Sequence, residues 1–358
     1  MNKKIILIIF PAFLLTSLCM PQTSPSQWQQ VAKRTPAQKT AGLAGGEGWQ
    51  MIFGLNYAPS NPHTVYICTD TNQVWKSIDG GTSWRRKGGN YPAHGGASLA
   101  VDPANENILY VAGSVMGSWS DITGAVEGIM RSTDGGDTWT WVKTAHFHRN
   151  YARGQHIAFA GTNIYAAPST GGVLKSTNGT AWNLLNKNGG GHVLDALNLY
   201  NIKAHPSDNT ILFVSATDGL YKIVDSGSSA TVTKIGAGLP SGSIYQVQID
   251  RDTPNTMYVA AGTNGVYRSA DGGLHFSARN NGLSSPISSG GSAHFLGMSP
   301  ANANRLFVTF KGIFGNHLYY TNDGGASWTQ TSNMDEQNAD GWVAGSIFGW
   351  RANLSGTD

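Results

Sequence analysis

The chain has 358 residues, a formal net charge of +3 and only 13% charged residues. No basic stripe interrupts its Gly-, Asn-, Ser-, Thr- and Trp-rich composition, which argues against a nucleic-acid partner and suits an exported β protein handling neutral polymers. Its two cysteines are Cys19 and Cys68, and Cys19 falls in a removable leader, so no disulfide within the mature chain is expected.

Taken in chain order, residues 1–20 read as a secretory signal. "MNKK" is the positive start and "IILIIFPAFLLTSL" an apolar run too short for a comfortable membrane span, with cleavage near Cys19–Gln22. A secreted, cell-surface or periplasmic location follows. A lipid anchor through Cys19 is the one membrane attachment on offer, although Leu18 before it is larger than such sites prefer. Residues 21–44 read as a linker or a ring-closing segment, and 45–358 as one repetitive domain.

Within that domain one phrase recurs. It is "KSIDGGTSW" at Lys76–Trp84, "RSTDGGDTW" at Arg131–Trp139, "RSADGGLHF" at Arg268–Phe276 and "YTNDGGASW" at Tyr320–Trp328. A shortened copy, "KSTNGTAW", lies at Lys175–Trp182, and a degraded one, "YKIVDSGSSATVTKI", at Tyr221–Ile235. Six units of about 45–55 residues therefore run from near Gly48 to Ser332. Chemistry is not repeated six times in one chain, but a turn is. An acid or amide followed by glycine between apolar runs is a hairpin signal, because glycine supplies the positive φ the turn demands. The phrase resembles the Asp-box of sialidases, sortilin-type receptors and several glycanases. Asp79, Asp134, Asn178, Asp271 and Asp323, with Trp84, Trp139, Trp182 and Trp328, are accordingly read as structural.

Each unit carries the same order of short β runs. The first gives "IFGLNYA", "TVYICT", "QVWKS" and "SWRRK", broken at "PSNPH", "DTN" and "DGGT". Four strands at this period describe a β-propeller blade, with the recurring phrase between the third and fourth strands. The expected fold is all-β, a propeller of six recognisable blades. "DGWVAGSIFGWRANLSGTD" at Asp340–Asp358 reads as the start of a seventh, so the sequence is expected to stop short of a complete ring. The alternative is closure by the segment before Gly48.

Function is sought where loops break the repeat. The second strand of unit one ends in Thr69–Asp70, and unit two carries a long insertion, "GSVMGSWSDITGAVEG". With the glycine-rich entry "GGEG" and Gly341–Trp342, these features make the chain after about Gly45 resemble the N-terminal propeller of glycoside hydrolase family 74 (GH74), the xyloglucanase-like enzymes. That resemblance implies two facing seven-bladed propellers and hydrolysis of β-1,4-glucan or xyloglucan with inversion. It also implies Asp70 as general base and an acid contributed by a second propeller. Family members usually follow the Thr-Asp with Ile-Gly-Gly, where this chain has Thr71, Asn72 and Gln73. Asp70 stays open between that role and the capping of a β-turn.

Further substrate contacts are expected from Trp119 and Asp121 in the insertion, and from Tyr91, His94, Arg153 and His156 in connections between units. Each has an ordinary packing or solvated alternative. His146 and His148 alternate as metal ligands on a strand would, but with no third ligand nearby neither a metal nor another cofactor is expected. Sialidase chemistry lacks its "RIP" opening here. The rival class is a non-catalytic propeller for polysaccharide binding or for protein assembly. Oligomeric state is not legible.

Overall fold

The computed structural model describes residues 52–69, 74–88, 90, 91, 93, 95–114, 127–147, 155–185, 193–227, 229–311 and 318–331. The leader, the 21–44 segment and Asp340–Asp358 lie outside these residues. Over the described residues the chain is all-β: six four-stranded antiparallel sheets, each with its strands in sequence order, arranged as the blades of a propeller. In blade one the strands are Ile52–Ala58, Asn61–Thr69, Val74–Ser77 and Arg85–Lys87. Two one-turn helical segments, Val193–Ala196 and Ser284–Ser288, lie in connections between blades.

The recurring turns share one hydrogen-bond design. In blade one the Ser77 hydroxyl donates to Asp79 at 2.7 Å, while the Ser83 amide donates to the same carboxylate at 2.8 Å and the Gly81 amide to Ser77 Oγ at 2.8 Å. Blades two, five and six repeat it with Ser132–Asp134, Ser269–Asp271 and Thr321–Asp323. In blade three Ser176 donates to Asn178 at 3.3 Å and takes the Gly179 amide at 2.9 Å, while Asn178 Oδ1 receives the Thr180 and Ala181 amides. Burial opposes the charge on Asp79, but the Ser83 hydroxyl and the loop amides outweigh it and hold that carboxyl at about 2. The indoles of Trp84 and Trp139 close the loop by donating to Gly81 O and Gly136 O, both at 2.9 Å.

A second repeat was not read from the sequence. The middle of each second strand holds an aromatic residue (Tyr66, Tyr110, Tyr165, Phe213, Tyr258, Phe307), and all four phenols reach forward into the next blade. Tyr66 Oη donates to Glu106 O at 3.0 Å, Tyr165 Oη to Asp225 Oδ2 at 2.5 Å, and Tyr258 Oη to Gly324 O at 3.3 Å. A third-strand cation steadies the ring: Arg131 Nε donates to Tyr110 Oη at 3.0 Å and Arg268 Nε to Tyr258 Oη at 3.2 Å.

Tyr110 shows why the turn's glycine is obligatory. Gly179 has φ +77°, and a Cβ there would lie 1.8 Å from Tyr110 Oη. Gly179→Ala should therefore destabilise by more than about 2 kcal/mol, from left-handed strain and overpacking together. Adding Tyr110→Phe should recover part of that loss. Denaturant unfolding of both single variants and the double reads the non-additivity, and strictly additive costs would refute the contact.

Nearer the hub, polar side chains stitch neighbouring first strands together. Ser98 Oγ accepts the His156 amide at 2.9 Å, Asn201 Oδ1 the Val247 amide at 3.3 Å, and Gln246 Oε1 the Leu296 amide at 2.8 Å. Ser98, Asn201 and Gln246 are all buried, so these bonds satisfy amides that water does not reach. Apolar clusters then fill the wedge between blades, as where Cys68, Leu99, Val111, Met130 and Trp139 join blades one and two.

Candidate functional site

Strand register defines the face on which function is sought. Pairing sets Ile52 opposite Thr69 in blade one, Gly95 opposite Ser114 in blade two and Ile157 opposite Ala166 in blade three. Entry into each blade thus lies beside its second-to-third turn. The Asp-Gly-Gly turns belong to the other end: the amides of Gly80, Gly135 and Gly324 donate to His63 O, Asn107 O and Asn304 O of the first turn of their own blades.

Thr69 is the last described residue before the candidate base, and it is fully buried. Behind it Cys68 sits in a space that exists because two strands lack side chains there. A Cβ on Gly54 would come within 2.8 Å of its sulfur, and one on Gly96 within 2.7 Å of its Cβ. The first strands of blades one and two therefore close tightly around the strand that delivers Thr69. Asp70 itself lies outside the described residues, as do His94, Trp119, Asp121, His148 and Arg153.

Tyr91 and His156 are described, and their side chains are enclosed by protein. Tyr91 is 7% exposed, with its ring edge-on to Trp139 at 5.3 Å and its hydroxyl donating to Gly95 O at 3.4 Å. His156 has no exposed surface; its Nδ1 donates to Ala167 O at 2.6 Å and its ring meets Phe147 edge-on. Burial lowers the imidazole pKa to about 4, so it is neutral at physiological pH. Both were expected at a ligand, and both are instead used to join adjacent blades. His146 pairs with Glu127, and among the described residues no three metal-ligating side chains gather.

The structure brings forward groups that sequence reasoning missed. Tyr200, Tyr245 and His294 occupy one repeat position on the entry side of blades four, five and six, and their rings lean on one another. Centroids are 4.9 Å apart for Tyr200–Tyr245 and 3.7 Å for Tyr245–His294, the latter nearly parallel at 20°. Each stands five residues before the opening of the blade's first turn, at His205, Asp250 and Ser299, a column that aligning the units would have exposed. Tyr245 and His294 keep partial exposure. On the same side of blade four, Asp218 is held by the Tyr221 hydroxyl at 2.8 Å and the Lys234 ammonium at 3.0 Å. Lys203, on the first strand of that blade, has its ammonium lowered to about 8 by burial.

The fold has known counterparts. Over 210 residues the chain is 26% identical to the xyloglucanase of Hypocrea jecorina (strain QM6a), a match covering 58% of this chain and 23% of that protein. The crystal structure of the GH74 xyloglucanase from Xanthomonas campestris superposes with a TM-score of 0.61 at 17% identity, covering 79% of this chain and 45% of that one. The chain is a GH74-like β-propeller. No protein-family profile matches it. The GH74-like propeller spans about a quarter of the Hypocrea enzyme's length and under half of the Xanthomonas chain. It also superposes on YCF48 from Cyanidioschyzon merolae, with a TM-score of 0.54 at 14% identity over 78% of this chain and 84% of that one. At these identities the two structural matches speak to fold.

Proposed function

We propose that this GH74-like propeller is the base-carrying part of an exported glycoside hydrolase that cleaves β-1,4-glucosidic bonds of xyloglucan or a related glucan with inversion. The observation that carries the reading is the xyloglucanase similarity, taken with the Thr69 strand end on the face shared by blade entries and second-to-third turns. Asp70 would draw a proton from water, and the water would attack the anomeric carbon as the glycosidic oxygen leaves. A carboxylic acid from a second propeller would protonate that oxygen, across roughly 6.5–9.5 Å between carboxyl groups, the spacing that leaves room for the water. Tyr245 and His294, on the entry side of blades five and six, would add glycan contacts.

Xyloglucan incubated with this chain, and with a longer form carrying a second propeller, tests the reading. The longer form is expected to release reducing ends, and NMR taken before mutarotation should show the α-anomer first. Absence of hydrolysis by either protein would defeat the enzymatic reading. The second reading, a non-catalytic propeller that binds polysaccharide or assembles proteins, is favoured by the match to YCF48 along most of that protein's length. Glycan binding without turnover, or protein capture without glycan binding, would select between its two forms.

A further inference from the structure

One seam between blades keeps its cations and lacks the acids that answer them elsewhere. Between blades one and two, Lys76 lies across the sheet from Tyr66, and Lys87 ends the outermost strand. Two carboxylates of blade two face them. Lys87 meets Asp137 at 2.6 Å, and Glu106 raises the Lys76 ammonium that burial lowers.

The seam between blades five and six is built on the same positions. Arg268 lies across from Tyr258 as Lys76 does from Tyr66, and its Nε donates to that hydroxyl at 3.2 Å. Arg279 stands where Lys87 stands: a Cβ on Gly325 would lie 3.2 Å from Arg279 Cβ, and one on Gly136 3.1 Å from Lys87 Cβ. The acids, however, are alanines. "DPANEN" in blade two becomes "SPANAN" in blade six, which sets Ala303 in the place of Glu106. "DGGD" becomes "DGGA", which sets Ala326 in the place of Asp137.

Neither arginine has a carboxylate partner among the described residues. Burial raises the Tyr258 hydroxyl while Arg268 and Arg279 both act to lower it, so the two charges converge there. Asp250, the last influence on that hydroxyl, already takes the Asp252 amide at 3.0 Å. Arg279 Nε is closed to solvent and has no acceptor among the described residues, as expected where an ion from outside the chain completes a site. Other seams differ: Arg131 is the one described cation acting on Tyr110, and Lys175 of blade three has Asp225.

We propose that Arg268 and Arg279 form a binding site for a dianionic tetrahedral oxyanion, phosphate or sulfate, free or as a monoester, at the rim between blades five and six. Such an ion supplies the charge that Glu106 and Asp137 supply between blades one and two. Guanidinium forks match its oxygens in pairs, and alanine methyl groups in place of both acidic side chains leave it space. The site belongs to the Asp-Gly-Gly end of the blades, away from the face given to glycan, and stands independently of that reading.

Isothermal titration with inorganic phosphate, sulfate, phenyl phosphate and acetate at constant ionic strength tests this. Phosphate and sulfate are expected to bind saturably, and the singly charged acetate at least about tenfold more weakly. Phenyl phosphate matching or exceeding phosphate points to a monoester as occupant, and weaker binding to the free ion; both uphold the site. Arg268→Gln and Arg279→Gln should each weaken phosphate at least about tenfold. Ala326→Asp, at an exposed position, rebuilds the pairing of Lys87 with Asp137 and should abolish phosphate binding with the circular dichroism spectrum unchanged. A wild type that binds phosphate and sulfate no better than acetate overturns the proposal. Binding that survives Arg279→Gln or Ala326→Asp overturns it too, and marks an adventitious ion only.

Discussion

Asp70→Asn, made in a form of the protein that hydrolyses xyloglucan, is expected to lower kcat by about 10²–10⁴-fold, the range for removing a positioned general base. KM should hold within about twofold, because the amide keeps the shape of the carboxylate and loses only its capacity to take a proton. Thermal unfolding should not move, since the strand behind Asp70 is fixed by Thr69 and by Cys68 seated against Gly54 and Gly96. The turn-capping alternative predicts the reverse: a lower Tm with hydrolysis intact. His156→Gln is the informative companion. Fully enclosed and bonded to Ala167 O, His156 should cost stability when replaced and leave the kcat of the folded protein unchanged.

Asp225→Ala is expected to destabilise by about 3–5 kcal/mol at neutral pH, as when one member of a buried ion pair is removed. Asp225 corresponds in sequence to the acids of the Asp-Gly-Gly turns, yet it points inward. Its side chain is 2% exposed, Lys175 of blade three approaches at 2.6 Å, and Tyr165 donates to the same oxygen at 2.5 Å. Burial alone would raise this carboxyl, but Lys175, Tyr165 and the Gly227 amide together hold it below its ordinary 3.8. A depressed carboxyl contributes its stability above the unfolded value and forfeits it as pH falls through the folded one. The gap between wild type and Asp225→Asn should therefore be constant from pH 7 to about pH 5 and shrink below pH 4. Denaturant titrations at several pH values measure it, and a gap that widens in acid would contradict the clasp.

Most of the fold was legible because a propeller repeats its grammar. "IFGLNYA" is a strand residue for residue at 52–58, since alternation and flanking turn residues bound it on both sides. Even the degraded copy at Tyr221–Ile235 is a hairpin, as its place in the period required. What escaped was whatever depends on the neighbouring blade. Tyr110 and Tyr165 look like ordinary strand aromatics until the next turn is packed on their hydroxyls, and Asn201 and Gln246 look like surface polars until a first-strand amide reaches them. His156 misled for the same cause: a histidine in a connection suggests a ligand, whereas the Ser98 hydroxyl and Phe147 ring that enclose it come from other strands. Of the candidate site, the face was predictable from strand order alone, but side-chain direction within it was not.

The phenol ties from Tyr66, Tyr165 and Tyr258 all point the same way along the polypeptide, toward a blade made later. On a ribosome each of those hydroxyls would remain hydrated until the following blade emerged and supplied its acceptor. Chain growth and the drying of the blade seams are thereby put in the same order, so an unfinished wheel keeps a wet leading side and a sealed trailing one.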